Sequence, residues 1–257
     1  MIKIDSAFRR DGKAFITFLT AGDPSLEDTA RYIGIMQDNG ADLIEVGIPF
    51  SDPIAEGPVI QAADLRALSG GVDTDRIFDM LEGIEKKVPI VFMSYLNPVF
   101  FYGYDRFFAR CRKAGVCGII IPDAPFEESG EVKRAAKPYG ITVVDMVAPT
   151  SEERIKNVCA HSKGFIYLVS SLGVTGMRKN IVTDIGAVVG KIRQTSRTPV
   201  CVGFGISGPE QARNMSSLSD GAIIGSAIVR IIAEHGSHAD EPLRAFISEV
   251  SAAVHGK

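Results

Sequence analysis

The fold class the sequence predicts is α/β: a single-domain (β/α)8 TIM barrel, residues 1–257, with extra helices. Two observations predict it. Short β-rich apolar runs recur about every 30 residues with helical patterns between them, the signature of βα units around a parallel sheet. Eight such runs fit into 257 residues, which matches the strand number and usual length of a closed barrel. No linker or low-complexity segment divides the chain. An open doubly wound sheet is the competing architecture, but the GxGxxG turn it usually carries after the first strand is missing.

The strands fall at Phe15–Thr20, Leu43–Gly47, Ile90–Tyr95, Gly118–Pro122, Thr142–Val147, Gly164–Ser170, Val200–Gly203 and Gly221–Gly225. Between the first two, Ser25 and Asp28 have capping-box spacing, and Leu26, Ala30, Ile33 and Met36 recur at helical period before Gly40. Asp73 or Thr74 opens the next long helix, with Ile77, Leu81 and Ile84 on one face. Ser151–Cys159, Thr183–Arg193 and Pro209–Ser217 also read as helices. Another begins near Ala227, and Glu241–Val254 forms a last amphipathic helix packed on the barrel.

Composition narrows the function. A hydrophobic fraction of 46% with 23% charged residues is that of a globular protein with a full core. Lys and Arg number 28 against 31 Asp and Glu, a net charge of −3, which argues against a nucleic-acid partner. The longest apolar runs, such as Val88–Met93 and Ile119–Pro122, are too short to span a bilayer. The first residues show no secretory or transit pattern, so a cytoplasmic protein is expected. Cys111, Cys117, Cys159 and Cys201 form no CxxC pair and read as reduced core residues. The four histidines all lie at or beyond His161, so a histidine-rich metal site is not expected. A Ser-His-Asp triad would have to use His161 or the C-terminal tail.

In such a barrel the active site sits at the C-terminal ends of the strands. The segments there are Ala21–Pro24, Ile48–Pro58, Leu96–Pro98, Asp123–Pro125, Ser171–Asn180, Phe204–Ser207 and Ser226. The loops after strands two and six are long enough to serve as lids. Glu45 interrupts the apolar run Leu43-Ile44-Glu45-Val46-Gly47. If Ile44 and Val46 pack on the helices, Glu45 points into the barrel, where desolvation raises its pKa and suits it to acid–base work. The alternative is a carboxylate paired with a basic residue across the barrel. Asp52 and Glu56 follow in the next loop, as a second catalytic carboxylate or as solvated loop acids. Gly205, Gly225 and Ser226, with Gly176, offer backbone donors for a phosphate, or merely serve tight turns. Phe18, Tyr95, Tyr167 and Phe204 are candidates to line an apolar pocket, or plain core. Asp123 is an orienting residue or a helix cap. These residues describe a barrel enzyme acting on a phosphorylated small molecule, without naming the reaction.

The run Phe18-Leu19-Thr20-Ala21-Gly22-Asp23-Pro24 and the run Glu45 to Pro53 resemble the tryptophan synthase α subunit family. So do Gly57-Pro58 followed by Gln61, Gly173-Val174-Thr175-Gly176, Gly203 to Ser207 and Gly225 to Val229. The resemblance covers essentially the whole chain, and the motif around Glu45 is highly specific. It implies a lyase that cleaves indole-3-glycerol phosphate to indole and glyceraldehyde 3-phosphate. It implies no metal and no cofactor in this chain; pyridoxal phosphate belongs to a β subunit, joined in an α2β2 complex. It places the acid–base group at Glu45 and the second carboxylate, usually aspartate, at Glu56. Thr175 matches a threonine that meets this second carboxylate on lid closure, and Ser171 stands where many members have arginine. Gly176, Gly205, Gly225 and Ser226 match phosphate contacts; Phe18, Tyr167 and Phe204 match pocket positions. Asp52, Pro53, Asn97, Pro98 and Pro125 lie on the face used to dock β. Three alternatives stand beside this: an α-like activator of β with weakened chemistry, a stand-alone lyase of the same substrate, and a related phosphate-binding barrel isomerase.

Overall fold

The computed structural model describes residues 1–149, 152–169, 184–203 and 205–256. Within them eight parallel strands close into a barrel in chain order, with β1 pairing to both β2 and β8. They are β1 (Ala14–Thr20), β2 (Leu43–Gly47), β3 (Ile90–Met93), β4 (Val116–Ile120), β5 (Thr142–Val147), β6 (Ile166–Val169), β7 (Val200–Gly203) and β8 (Gly221–Ile224). Every strand the sequence predicts is present, and the differences lie at the ends. β3 stops at Met93 because Tyr95 already begins a helix as its N-cap. β4 starts earlier, at Val116, with a register shift against Ile90 and Val91 that accommodates Cys117. β6 cannot start at Gly164, whose φ of +74° is left-handed rather than extended.

Eleven α-helices are found among the described residues. The first three are α1 (Leu26–Asp38), α2 (Pro58–Ser69) and α3 (Thr74–Gly83). Next come α4 (Leu96–Tyr102), α5 (Tyr104–Lys113), α6 (Gly130–Ala136) and α7 (Glu152–His161). The remainder are α8 (Ile185–Thr195), α9 (Pro209–Leu218), α10 (Ser226–His235) and α11 (Asp240–Val254). Ser25 caps α1 by accepting the Asp28 N–H at 3.0 Å. Asp73, not Thr74, caps α3 by accepting from the Arg76 N–H. Ile84 falls just outside α3 in an extended conformation, so it is not on that helix face as expected. Helices α2, α4, α5 and α6 are not among those the spacing predicts. Leu96-Asn97-Pro98, expected only as a segment after the third strand, is the first turn of α4, where the missing proline N–H breaks no helical bond.

The strand period divides the core into two layers. Ile16, Leu43, Val91, Ile120, Val144 and Ile223 face inward and fill the barrel. Ile4, from a 3-10 turn at Ile4–Phe8, joins them and closes the N-terminal end. Phe15, Ile44, Val46, Phe92 and Ile119 face outward against the helices. All four cysteines are free and buried. No helix among the described residues is long and apolar enough to cross a membrane.

Beyond α11, the buried His255 ring bridges two carboxylates at the N-terminal end of the barrel. Its Nδ1 lies 2.7 Å from Asp11 Oδ2 and its Nε2 2.9 Å from Asp42 Oδ2. The hydrogen bond to Asp42 raises the His255 pKa above 6.5, against desolvation. For Asp11, desolvation favours the neutral form, but the His255 hydrogen bond and its other partners outweigh it and lower the pKa below 3.8. A raised histidine stabilises the fold fully below pH 6.5 and loses that contribution as pH rises through its folded value. A lowered aspartate contributes above pH 3.8 and loses it as pH falls. The clasp is therefore strongest between these values. His255→Gln is expected to remove part of the wild-type fall in melting temperature above pH 6.5; parallel curves for the two proteins would show that the clasp carries no linkage.

Candidate active site

Alternation along β2 places Leu43, Glu45 and Gly47 on the inner face while Ile44 and Val46 pack outward. Glu45 is thus aimed into the barrel, beside Phe18 of β1 and Val91 of β3 in the ladder. It is completely buried, and neither carboxyl oxygen has a hydrogen-bond partner among the described residues. The expected alternative of a cross-barrel ion pair is not realised there. Desolvation pushes its carboxyl up to about 8. Above it, Gly47 leaves room for the Phe18 ring: a Cβ at Gly47 would lie 2.7 Å from Phe18 Cζ. Across the barrel, Gly203 gives the same freedom to Tyr167, whose hydroxyl would lie 2.5 Å from a Cβ there.

Glu45 forms part of the wall of a cavity of about 240 Å³ at the C-terminal end of the barrel. Phe18, Met93, Met146, Tyr167 and Ile223 supply apolar walls, and Ile60 of α2 adds to them. Phe18 and Tyr167 are therefore brought together as the sequence predicts. Tyr95 is not: its side chain lies beneath the loop after β2 and does not line this cavity.

That loop carries Glu56, which is buried and lines the cavity, rather than being a solvated acid. The Tyr95 hydroxyl holds it. This oxygen accepts the backbone N–H groups of Ile54 at 2.9 Å and Ala55 at 2.7 Å, and donates its own proton to Glu56 Oε2. Gln61 of α2 donates to the Glu56 carbonyl at 2.8 Å. Burial raises the Glu56 pKa, and the Tyr95 hydrogen bond moderates the rise. Beside it the buried Asp64 of α2 accepts from Thr20 Oγ1 at 3.4 Å, with burial and then the Glu56 charge raising its pKa to about 7. Asp52 in the same loop is exposed and takes no part in the cavity. Asp123 accepts the Leu96 N–H at 2.9 Å, so it orients the start of α4 from the turn after β4.

The far wall is polar. Gly205, with φ of +80°, precedes Ile206 and Ser207 after β7, and Gly225 and Ser226 begin α10. No side chain caps α10, so the N–H groups of its first turn face the cavity mouth unclaimed by a capping residue. This suits an anion. Gly205, Gly225 and Ser226 are thus brought together as expected. Thr175, Gly176, Ser171 and Phe204 lie outside the described residues. Sequence reasoning missed Ile60, Met93, Met146, Asp64 and Arg230. The first three are ordinary apolar residues with no chemical signal. Asp64 and Arg230 sit in helices, one of which was not predicted. Among the described residues no group of three or more His, Cys, Asp or Glu could hold a metal ion.

Asn97 and Pro125 are exposed and Pro53 and Pro98 half-buried on the loops and helix around this end. Ile54, Phe100 and Phe101 stand out beside them at 73%, 64% and 91% exposure, an apolar addition the sequence did not reveal.

The match with known proteins extends over the whole chain. The family model described as the tryptophan synthase alpha chain matches residues 4–255. The tryptophan synthase alpha chain of Lacticaseibacillus casei is 44% identical, the match covering 100% of this chain and 97% of that protein. That of Caldanaerobacter subterraneus is 47% identical over 91% of this chain and 92% of its own length. Among solved structures, the alpha chain from Legionella pneumophila superposes with a TM-score of 0.88 at 33% identity, covering 100% of this chain and 98% of that one. A chain from the α2β2 complex of Pyrococcus furiosus gives 0.85 at 35% identity, covering 97% and 99%. The chain belongs to the tryptophan synthase alpha chain family.

Proposed function

We propose that the protein is a lyase that cleaves indole-3-glycerol phosphate to indole and glyceraldehyde 3-phosphate, working in a complex with a β subunit. The observation that carries this reading is Glu45: a buried carboxyl, unpaired among the described residues, facing an apolar cavity with an anion-binding far wall. Near neutral pH its raised pKa keeps it protonated. It first gives its proton to C3 of the indole, leaving positive charge shared with the ring nitrogen. As a carboxylate it then takes the proton of the hydroxyl on the adjoining glycerol carbon. The C–C bond breaks, its electrons return to the ring, and the former alcohol carbon becomes the aldehyde. The proton count closes, with Glu45 protonated again. Glu56 accepts the indole N–H and stabilises the charge there. The phosphate rests on Gly205, Gly225 and Ser226, with Gly176, while Phe18, Tyr167 and Phe204 enclose the indole. Thr175 meets Glu56 on closure. These steps need no cofactor from this chain, and pyridoxal phosphate is assigned to the β partner.

The β subunit docks on Asp52, Pro53, Asn97, Pro98 and Pro125, extended by the exposed Ile54, Phe100 and Phe101. The assembly is α2β2, as in the Pyrococcus furiosus complex. The test is indole release from indole-3-glycerol phosphate by the purified protein, alone and with a matched β subunit. Release that rises strongly with β supports both parts of the reading. No release in either setting, while β still gains activity in joining indole to serine, would leave a partner role without the lyase chemistry.

A further inference from the structure

We infer that Arg230 is a binding residue for the substrate phosphate, and that it sets the preference for a phosphorylated over an unphosphorylated glycerol chain. The inference rests on the proposed function and adds a residue to its anion subsite. Arg230 lines the same cavity as Gly225 and Ser226, which begin α10. It lies four residues after Ser226, hence on the same helix face one turn on. Helical side chains lean toward the N-terminus, a direction that carries a guanidinium on this face toward Ser226 and the uncapped first turn. Ile228, Val229 and Ile232 form the buried face of α10, which leaves Arg230 exposed and turned to the mouth.

Its charge is uncommitted. Glu234 stands at the i+4 position, yet Arg230 makes no ion pair among the described residues, whereas many other arginines here are paired with carboxylates. A cation that lines the cavity together with Gly205, Ser207, Gly225 and Ser226 complements a dianion held by their backbone amides and hydroxyls. The planar guanidinium can also meet two phosphate oxygens at once. The backbone donors fix where the phosphate sits, and Arg230 supplies the side-chain charge.

The test combines binding and kinetics on the complex with β. Isothermal titration with glyceraldehyde 3-phosphate should show wild-type binding that weakens about 10-fold in Arg230→Gln and recovers in part in Arg230→Lys. With indole-3-glycerol phosphate, KM should rise about as much while kcat stays within about twofold, the pattern of lost uniform binding. With unphosphorylated indole-3-glycerol, wild type and Arg230→Gln should match. Equal KM values for both proteins on the phosphorylated substrate would overturn the role of Arg230 and leave the lyase reading intact. A wild type that neither binds glyceraldehyde 3-phosphate nor cleaves the substrate would overturn both.

Discussion

Glu45→Gln is expected to reduce indole release by ~10²–10⁴-fold, the range for loss of a positioned acid–base group. The amide keeps the size of the side chain but can neither deliver a proton to C3 nor receive one from the hydroxyl. The same substitution should act on two pH profiles. Cleavage by the wild type requires the protonated form, so kcat/KM should fall as pH rises through about 8, where Glu45 ionises. Stability moves in the same direction. A carboxyl whose folded pKa of about 8 exceeds its ordinary 4.5 binds more protons folded than unfolded between those values, so wild-type stability declines across that interval. Glu45→Gln removes this slope. Denaturant midpoints from pH 5 to 8 read the second effect and initial rates the first. Undiminished cleavage by the variant would remove Glu45 from the chemistry.

Glu56→Asp should cost about 100-fold in kcat, the effect of a misplacement of about 1 Å. The resemblance implies aspartate at this position, yet the substitution is not neutral here. The loop is built around the longer side chain instead. Tyr95 donates to the Glu56 carboxylate while it accepts from Ile54 and Ala55, and Gln61 pins the Glu56 carbonyl. Shortening the side chain by one methylene withdraws the carboxylate from Tyr95, or from the indole nitrogen, without freeing the backbone to follow. Folding should be little affected, so circular dichroism and the melting temperature serve as controls. A variant as fast as wild type, or faster, would show that the loop does not depend on glutamate.

The barrel and its inner carboxylate were legible because their signals are periodic. Strand alternation exposes Glu45 as the one charge in an apolar run, and that same period fixes its direction. Helices α4 and α6 were hidden by shortness, and α4 also by the proline in its first turn. Helix α5 was legible in principle, since Phe107, Phe108 and Cys111 recur at helical spacing. The state of Glu56 was not. Nothing local distinguishes a buried loop acid from a solvated one, because its burial depends on Tyr95, 39 residues away along the chain. Tyr95 reads from the sequence as a pocket aromatic or plain core, since nothing local marks its hydroxyl's partners, the Ile54 and Ala55 N–H groups and the Glu56 carboxylate. Arg230 gave no signal because its meaning comes from lining one cavity with Gly225 and Ser226, a turn away on α10.

The Tyr95 hydroxyl joins two surfaces that would otherwise be independent. Through it, Ile54 on the outside and Glu56 on the inside belong to one mechanical unit. A molecule that grips the outer side more tightly in one loop position than in another changes the occupancy of those positions for Glu56 as well. Thermodynamic reciprocity then requires a ligand held by Glu56 to return the same factor to the outer affinity. A single hydroxyl oxygen, itself uncharged, is enough to make occupancy of the cavity readable from outside it.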